Sequence, residues 1–218
     1  MKRREFISLS VGGVLIYALD RKAQVVNAAE FPIEVPLRFF TAREALVIAA
    51  ACERIFPSDE NGPGAKEAGV IIYIDRQLAG PYGRDELRYK KGPFIDTDPT
   101  FGGYQGKEGP QEIYRSGISE LGDDFISLTP LQQDERLRKV EKSMFFQMLR
   151  SHTIEGMFSD PLHGGNVDLI GWQLIGYPGP VMSWRGEIAV YNKGEAHRPK
   201  PRSLEQILNM PIKGLEDE

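Results

Sequence analysis

Apolar residues recur in this chain three and four positions apart, which is the spacing of one face of an α-helix, and no stretch of any length alternates apolar with polar residues. The clearest case is ALVIAAACERIF, which follows a T-A-R-E capping pattern at Thr41 to Glu44 and is ended by Pro57. Helices of this kind bury their apolar faces against one another. The spacing therefore predicts an all-α fold: one small, irregular helical domain with long, ordered loops rich in glycine and proline, preceded by an export signal.

The same spacing predicts further helices. One spans Ala65 to Ala79 and carries an apolar stripe of Val70, Ile71, Ile74 and Leu78. Shorter helices are predicted at residues 111–118 and 151–158, and residues 84–90 are compatible with another inside a segment that is mostly ordered loop.

Thr129 is predicted to cap a stronger helix, with Pro130 at its first position. The buried stripe of this helix is predicted to comprise Leu137, Val140, Met144 and Met148. Its other faces carry polar and charged side chains, which we interpret as a solvated surface: Gln133, Asp134, Arg138, Glu141 and Lys142.

Two segments rich in glycine and proline, 80–110 and 159–180, separate or follow these helices. The first is too long for an ordinary connection, and its aromatic residues argue against disorder: Tyr82, Tyr89, Phe94, Phe101 and Tyr104. We interpret it as an ordered loop that lies on a surface, which could belong to another protein. From Gly194 the chain continues as a polar C-terminal arm with one short apolar piece.

The N-terminus has the pattern of an export signal. Positive residues precede a mostly apolar, uncharged run from Phe6 to Leu19, and small residues follow at Ala28 and Ala29. Arg3, Arg4 and Phe6 resemble the twin-arginine signal, whose pathway carries folded proteins. We predict a signal over residues 1–29 and one helical domain over 30–218. Cleavage after Ala28 or Ala29 fits the pattern, a retained signal fits it too, and an amphipathic helix packed on the body is the alternative.

Charge and cysteine content exclude several classes of function. The formal net charge is -4 without a basic stripe, so no nucleic-acid partner is expected. The lone Cys52 excludes an internal disulfide and any multi-cysteine metal site. It lies on an apolar helix face and is interpreted as a buried structural thiol rather than a reactive one.

Residues 159–180 contain the side chains most suggestive of chemistry. Asp160 and His163 could act as an acid–base pair, and His152 or His163 could join nearby carboxylates around a metal. Their spacing matches no compact metal or catalytic motif, however, and the glycines lack the context of a nucleotide-binding loop. We predict no catalytic, cofactor-binding or metal site, while an independent enzyme that uses Asp160 and His163 stays open.

The remaining interpretation of this segment is structural. Glycine allows left-handed backbone and close approach, and aspartate before proline is a common turn residue. Rigid aromatic area flanked by glycine and proline suits a core or a fixed protein contact. The residues of this possible partner interface or structural turn are Asp160, His163, Gly164, Gly165, Asn166, Trp172, Tyr177 and Pro178.

Two blocks of this segment resemble a known signature. GMFSDPLHGGN at residues 156–166 and GWQLIGYPGP at residues 171–180 are similar to the gluconate 2-dehydrogenase subunit 3 family. Its members are the small (gamma) subunits of membrane-bound, flavin-dependent sugar, sugar-acid and alcohol dehydrogenases. Many relatives carry tyrosine where this chain has His163.

The resemblance implies a non-catalytic subunit that binds no cofactor itself. It implies a large FAD-dependent partner of the glucose–methanol–choline type and a c-type cytochrome subunit, which hold the FAD and the haem c. It also implies assembly and export of the large subunit through the twin-arginine translocase, and a periplasmic location at the inner membrane through the complex. A free-standing periplasmic binding or assembly module is the other alternative.

Overall fold

A computed structural model of the chain describes residues 35–92, 94, 106–181, 183–194 and 200–209. Over this part the fold is all-α, as predicted, and its only extended pairing is an isolated bridge between Asp59 and Gly62. The described helices are α1 (Ala42–Ile55), α2 (Val70–Ala79), α3 (Pro110–Leu121), α4 (Pro130–Val140), α5 (Met144–Phe158), α6 (Ile170–Ile175), α7 (Arg185–Asn192) and α8 (Leu204–Leu208). None of them is long and apolar enough to cross a membrane.

The core is organised around α2, which packs against both α1 and α5. Its sequence VIIYIDRQLA is apolar on more than one face, and seven of its ten residues are buried. A helix that is apolar nearly all round has to be enclosed by other elements. Helices α3 and α4 complete the enclosure by packing on α1 and α5.

The predicted caps of α1 and α4 are confirmed. The Thr41 backbone N–H donates to the Glu44 carboxylate at 2.8 Å, and the Thr41 hydroxyl accepts from the Glu44 backbone N–H. Thr129 and Gln132 form the same reciprocal box, with Pro130 at the first position of α4. Capping is local, which is why the sequence predicts it well.

The predicted helix at 65–79 begins five residues late. Its first part is a series of turns, and α2 starts only after Gly69, whose backbone is left-handed at φ 66°. The helix predicted at 111–118 is extended at both ends to Pro110–Leu121, and its first residue is a proline.

The long helix predicted after Thr129 is instead two helices. The chain turns at residues 141–143, where Ser143 caps α5 by accepting from the Phe146 backbone N–H at 3.1 Å. The helix predicted at 151–158 is the end of α5. The change of direction buries Phe145 and Leu149 and leaves Met144 and Met148 only partly buried.

Part of the polar face predicted for this region is not solvated. Gln133 is buried, and its side-chain amide donates to the Phe125 carbonyl at 3.0 Å. Asp134 pairs with Arg54 at 2.7 Å and so ties α4 to α1. The predicted exposure is therefore wrong at Gln133, because a neighbouring turn covers it.

Residues 84–90 do not form the short helix with which their sequence is compatible. Asp85 has a left-handed backbone at φ 58°, and its carboxylate binds Arg88 at 2.6 Å and Lys90 at 2.5 Å. Hydrogen bonds from the Arg88 guanidinium hold the pKa of Asp85 below its usual range. Arg88 also donates to the Gly106 carbonyl at 2.8 Å, so one side chain joins the two ends of this loop.

Cys52 is a buried structural thiol, as predicted. The Thr153 hydroxyl donates to its sulfur at 3.3 Å, and burial raises the pKa of the thiol to about 12. The thiolate that would react is therefore strongly disfavoured. The predicted signal at Arg3, Arg4 and Phe6, like Phe101 and Tyr104 of the loop, lies outside the described residues.

One buried carboxylate fastens the N-terminal segment to α2. Asp75 is almost inaccessible, and its oxygens accept from the backbone N–H groups of Arg38 at 2.7 Å, Phe39 at 3.0 Å and Phe40 at 2.9 Å. Bonds of this kind compensate a buried charge.

Asp75→Ala should reduce the free energy of unfolding by about 3 kcal/mol or more, because it leaves three backbone donors without their acceptor. Asp75→Asn should cost less, since its amide oxygen can keep the bonds from Phe39 and Phe40. Urea denaturation measures both. The exposed control Glu135→Ala should change stability by about 0.5 kcal/mol or less, and an equal effect of Asp75→Ala would contradict the prediction.

Candidate functional site

The segment from Ser159 to Pro180, called the turn system below, follows the C-terminus of α5. It contains two single-turn 3-10 helices, Pro161–His163 and Val167–Leu169, and then α6. Helix α6 is not predicted from the sequence. The turn system is also attached to the turns that precede α2, since the Val167 backbone N–H donates to the Ala68 carbonyl at 3.1 Å.

Asn166 is the centre of the turn system. Its side chain is fully buried; the amide nitrogen donates to the Ser159 carbonyl and the amide oxygen accepts from the Gly171 backbone N–H, both at 2.8 Å. One side chain thus joins the end of α5 to the start of α6. Asparagine also tolerates the left-handed backbone found here, at φ 44°, better than most residues do.

Gly164 and Gly165 hold conformations that a side chain would strain, as predicted. Their φ angles are 89° and 67°. A Cβ on Gly164 would lie 3.0 Å from the Tyr73 backbone nitrogen, and one on Gly165 would overlap the carbonyl oxygen of Gly156. The glycine pair therefore lets the turn system rest directly on the backbones of α2 and α5.

Trp172 is buried, as predicted, with 3% of its surface exposed. Its indole N–H donates to the Phe158 carbonyl at 2.7 Å, which satisfies a free carbonyl at the end of α5. Tyr177 packs edge-on against the indole with ring centres 5.0 Å apart. The Pro178 carbonyl accepts from the Arg202 backbone N–H at 3.1 Å, so the C-terminal arm begins its contact here.

Asp160 uses both carboxylate oxygens to bind backbone. One accepts from Leu162 N–H at 3.0 Å and caps the first 3-10 turn; the other accepts from Leu204 N–H at 2.7 Å. The second bond joins residues 44 positions apart and fixes the C-terminal arm to the turn system. His163 follows in the same turn but has an exposed side chain. This carboxylate is thus occupied as a cap rather than directed at the imidazole.

Neither His152 nor His163, the two histidines that the structure describes, lies in a group of carboxylates that could hold a metal ion. Within the described ranges, no three His, Cys, Asp or Glu side chains lie close enough together to hold a metal ion. His152 lies elsewhere, buried on α5 among aromatic residues.

His152 belongs to a polar cluster that the sequence does not predict. Its Nδ1 lies 2.9 Å from the Tyr114 hydroxyl and its Nε2 lies 3.1 Å from the Tyr82 hydroxyl. Burial lowers the pKa of His152 and raises that of Tyr114, so both side chains are held neutral. The three residues come from α5, α3 and the loop after α2. The only local signal is a polar residue on an apolar helix face, which does not identify distant partners.

The loop after α2 presents apolar side chains to water. Leu87 and Tyr89 are 81% and 82% exposed, and Phe94 is also exposed. They flank Arg88, which is bound to Asp85 and to the Gly106 carbonyl. Leu87 and Tyr89 are therefore held outward by a clamped loop base.

The contribution of close packing at Gly165 can be separated from that of its left-handed backbone. Gly176 has the same φ of 67° but no atom within 4 Å of a Cβ position. Gly176→Ala should cost about 1–2 kcal/mol, the price of the backbone conformation. Gly165→Ala should cost about 1–3 kcal/mol more, because its methyl group meets the Gly156 carbonyl. Thermal denaturation of the two variants measures the difference, and equal losses would show that the turn system does not rest tightly on α5.

One family model matches this chain, and the match includes both the helical body and most of the turn system. The family model described as Gluconate 2-dehydrogenase subunit 3 matches residues 42–179, which is well over half of the chain. No curated protein and no solved structure matches the chain.

Proposed function

The chain belongs to the gluconate 2-dehydrogenase subunit 3 family, and from this we propose that it is the non-catalytic small subunit of a periplasmic, membrane-bound, FAD-dependent dehydrogenase complex. The large partner is a flavoprotein of the glucose–methanol–choline type, and a c-type cytochrome completes the complex. FAD and haem c belong to those partners. This chain assists the folding and assembly of the flavoprotein and carries it through the twin-arginine translocase.

The observation that carries this proposal is the clamped loop with its outward apolar residues. Folding normally removes large apolar side chains from water, and a contiguous apolar patch that stays exposed marks an interaction site. Leu87 and Tyr89 stay exposed although Asp85 and Arg88 fix the backbone between them. A surface fixed before binding loses little conformational freedom when the partner arrives.

The turn system supports the same role. It is held to α2 and α5 through buried Asn166 and the glycine pair, while Leu162, Ile175 and Tyr177 on its outer side are exposed. Rigid aromatic and aliphatic side chains of this kind are typical of the centre of protein interfaces.

Independent catalysis by Asp160 and His163 has less support. A general base has to be directed at the proton that it removes. Both oxygens of Asp160 instead accept backbone N–H groups, one of them from the C-terminal arm.

The interface can be tested by a double substitution on the clamped loop. Leu87→Ser with Tyr89→Ser should reduce co-purification of the flavoprotein by about tenfold or more, because two apolar anchors are lost from the contact. The matched control is Leu131→Ser on α4, which is 76% exposed but lies on a different element. Retention of the flavoprotein is measured by its flavin absorbance after affinity purification of this chain from the native host.

The control variant should retain the flavoprotein at the wild-type level, and all variants should unfold at similar temperatures because the substituted side chains are exposed. Normal recovery of the flavoprotein with the double variant would show that the loop is not the contact.

The export role is tested by replacing Arg3 and Arg4 with lysine, which keeps the charge but removes the paired arginines that the translocase reads. This chain and its flavoprotein should then stay together in the cytoplasm. Cell fractionation with flavin detection measures the outcome, and Lys2→Arg, which keeps both arginines, is the control. Flavoprotein in the periplasm at normal amounts would show that its export does not depend on this chain.

A further inference from the structure

Helix α7 presents three large apolar side chains to solvent on one side. Trp184, Ile188 and Tyr191 are spaced four and three residues apart, so they share one side of the helix. The Ile188 backbone N–H donates to the Trp184 carbonyl at 2.9 Å, which places Trp184 one turn before Ile188. The three side chains are 50%, 55% and 80% exposed. They lie beyond the residues 42–179 that the family model matches.

The sequence from 183 to 202, which includes α7, contains five basic residues and two acidic ones. Arg185 at the start of α7, Lys193 just after it and Lys200 farther along are all exposed, and Glu187 is the only carboxylate of the helix. The chain as a whole has a formal net charge of -4, so this positive group is a local exception. Such a group favours an anionic surface.

The stretch that carries α7 leaves and rejoins the body at one place. Pro178 precedes it, and Arg202 returns to donate its backbone N–H to the Pro178 carbonyl at 3.1 Å. Two residues later, Leu204 N–H is bound by the Asp160 carboxylate. Both ends of the stretch are thus fixed to the turn system, and α7 lies between them.

We propose that α7 binds the surface of an anionic lipid bilayer. Tryptophan and tyrosine favour the boundary between headgroups and acyl chains, and the aliphatic Ile188 lies on the same side. The excess of cations in the same stretch favours contact with lipid phosphates. A short helix with one apolar face and a few cations binds reversibly and lies in the plane of the surface. The inference is independent of the proposed function, since it concerns this chain and lipid alone.

Tryptophan fluorescence of the full chain tests the proposal directly. The protein contains two tryptophans, and Trp172 is buried. Vesicles of phosphatidylcholine with phosphatidylglycerol should shift the Trp184 emission to shorter wavelengths as the indole enters the interface. Trp184→Phe, which keeps Trp172 alone, should show no shift. The protein should bind vesicles of phosphatidylcholine alone at least about tenfold more weakly, since these vesicles lack negative charge.

Two sets of variants separate the apolar and the ionic contributions. Ile188→Ser with Tyr191→Ser, and separately Lys193→Glu with Lys200→Glu, should each weaken vesicle binding by about tenfold or more. The matched control for charge is Lys139→Glu with Lys142→Glu, which makes the same change at exposed positions near the end of α4. Any contribution of the N-terminal apolar run is common to all variants. Raising the salt from about 0.1 M to about 1 M should weaken binding of the wild type.

A Trp184 shift that depends on phosphatidylglycerol, survives in the charge control and is lost in the other variants supports the proposal. Three results would overturn it: no shift with any vesicle, an equal shift with neutral vesicles, or equal binding by the α7 variants and the wild type. A shift produced by the flavoprotein partner but not by vesicles would also overturn it, and would assign the face of α7 to a protein contact.

Discussion

A single carboxylate, that of Asp75, makes it possible for an almost wholly apolar helix to lie at the centre of the fold. Helix α2 packs against α1 and α5, and Asp75 on it is almost inaccessible, so its carboxylate has almost no access to water. Three backbone N–H groups from Arg38, Phe39 and Phe40 replace that water. The same bonds bring the aromatic N-terminal segment onto the helices, where Phe40 packs against Tyr114. The same carboxylate therefore allows α2 to be buried and attaches the segment before α1 to the helices.

The turn system depends on that enclosure, because it is built on the backbones of α2 and α5 rather than on their side chains. Gly164 lies over the Tyr73 nitrogen and Gly165 over the Gly156 carbonyl, distances that leave no room for a Cβ. Asn166 then closes the segment with two hydrogen bonds inside the protein. Close packing of one backbone on another leaves little freedom in the path of the chain. The exposed side chains that follow are therefore held in a defined orientation.

The sequence predicts what neighbouring residues determine. The boxes at Thr41 and Thr129, the end of α1 before Pro57, and the special backbone of the glycine pair are all set within a few residues. Prediction from the sequence fails where a contact with a residue far along the chain determines the local structure. Residues 84–90 have helical character on their own, yet the Arg88 bond to the Gly106 carbonyl holds them in another form. The turn before Ser143 contains neither glycine nor proline, so the helical spacing runs through it unbroken. The cluster around His152 joins three separate elements, and its only local signal, a polar residue on an apolar helix face, does not identify the partners.

Asp160 illustrates why residue type is a poor guide to role in this segment. An aspartate three residues before a histidine is compatible with acid–base chemistry, but each oxygen here has a separate structural task. The bond to Leu162 is local and would exist in any chain with this turn. The bond to Leu204 requires a C-terminal arm, which lies beyond the residues matched by the family model. One carboxylate oxygen of Asp160 thus caps a turn within the residues that the family model matches, and the other oxygen binds the C-terminal arm. This second bond fixes the arm beyond α7, so a side chain without chemistry of its own ties the stretch that contains the proposed lipid-binding surface to the helical body.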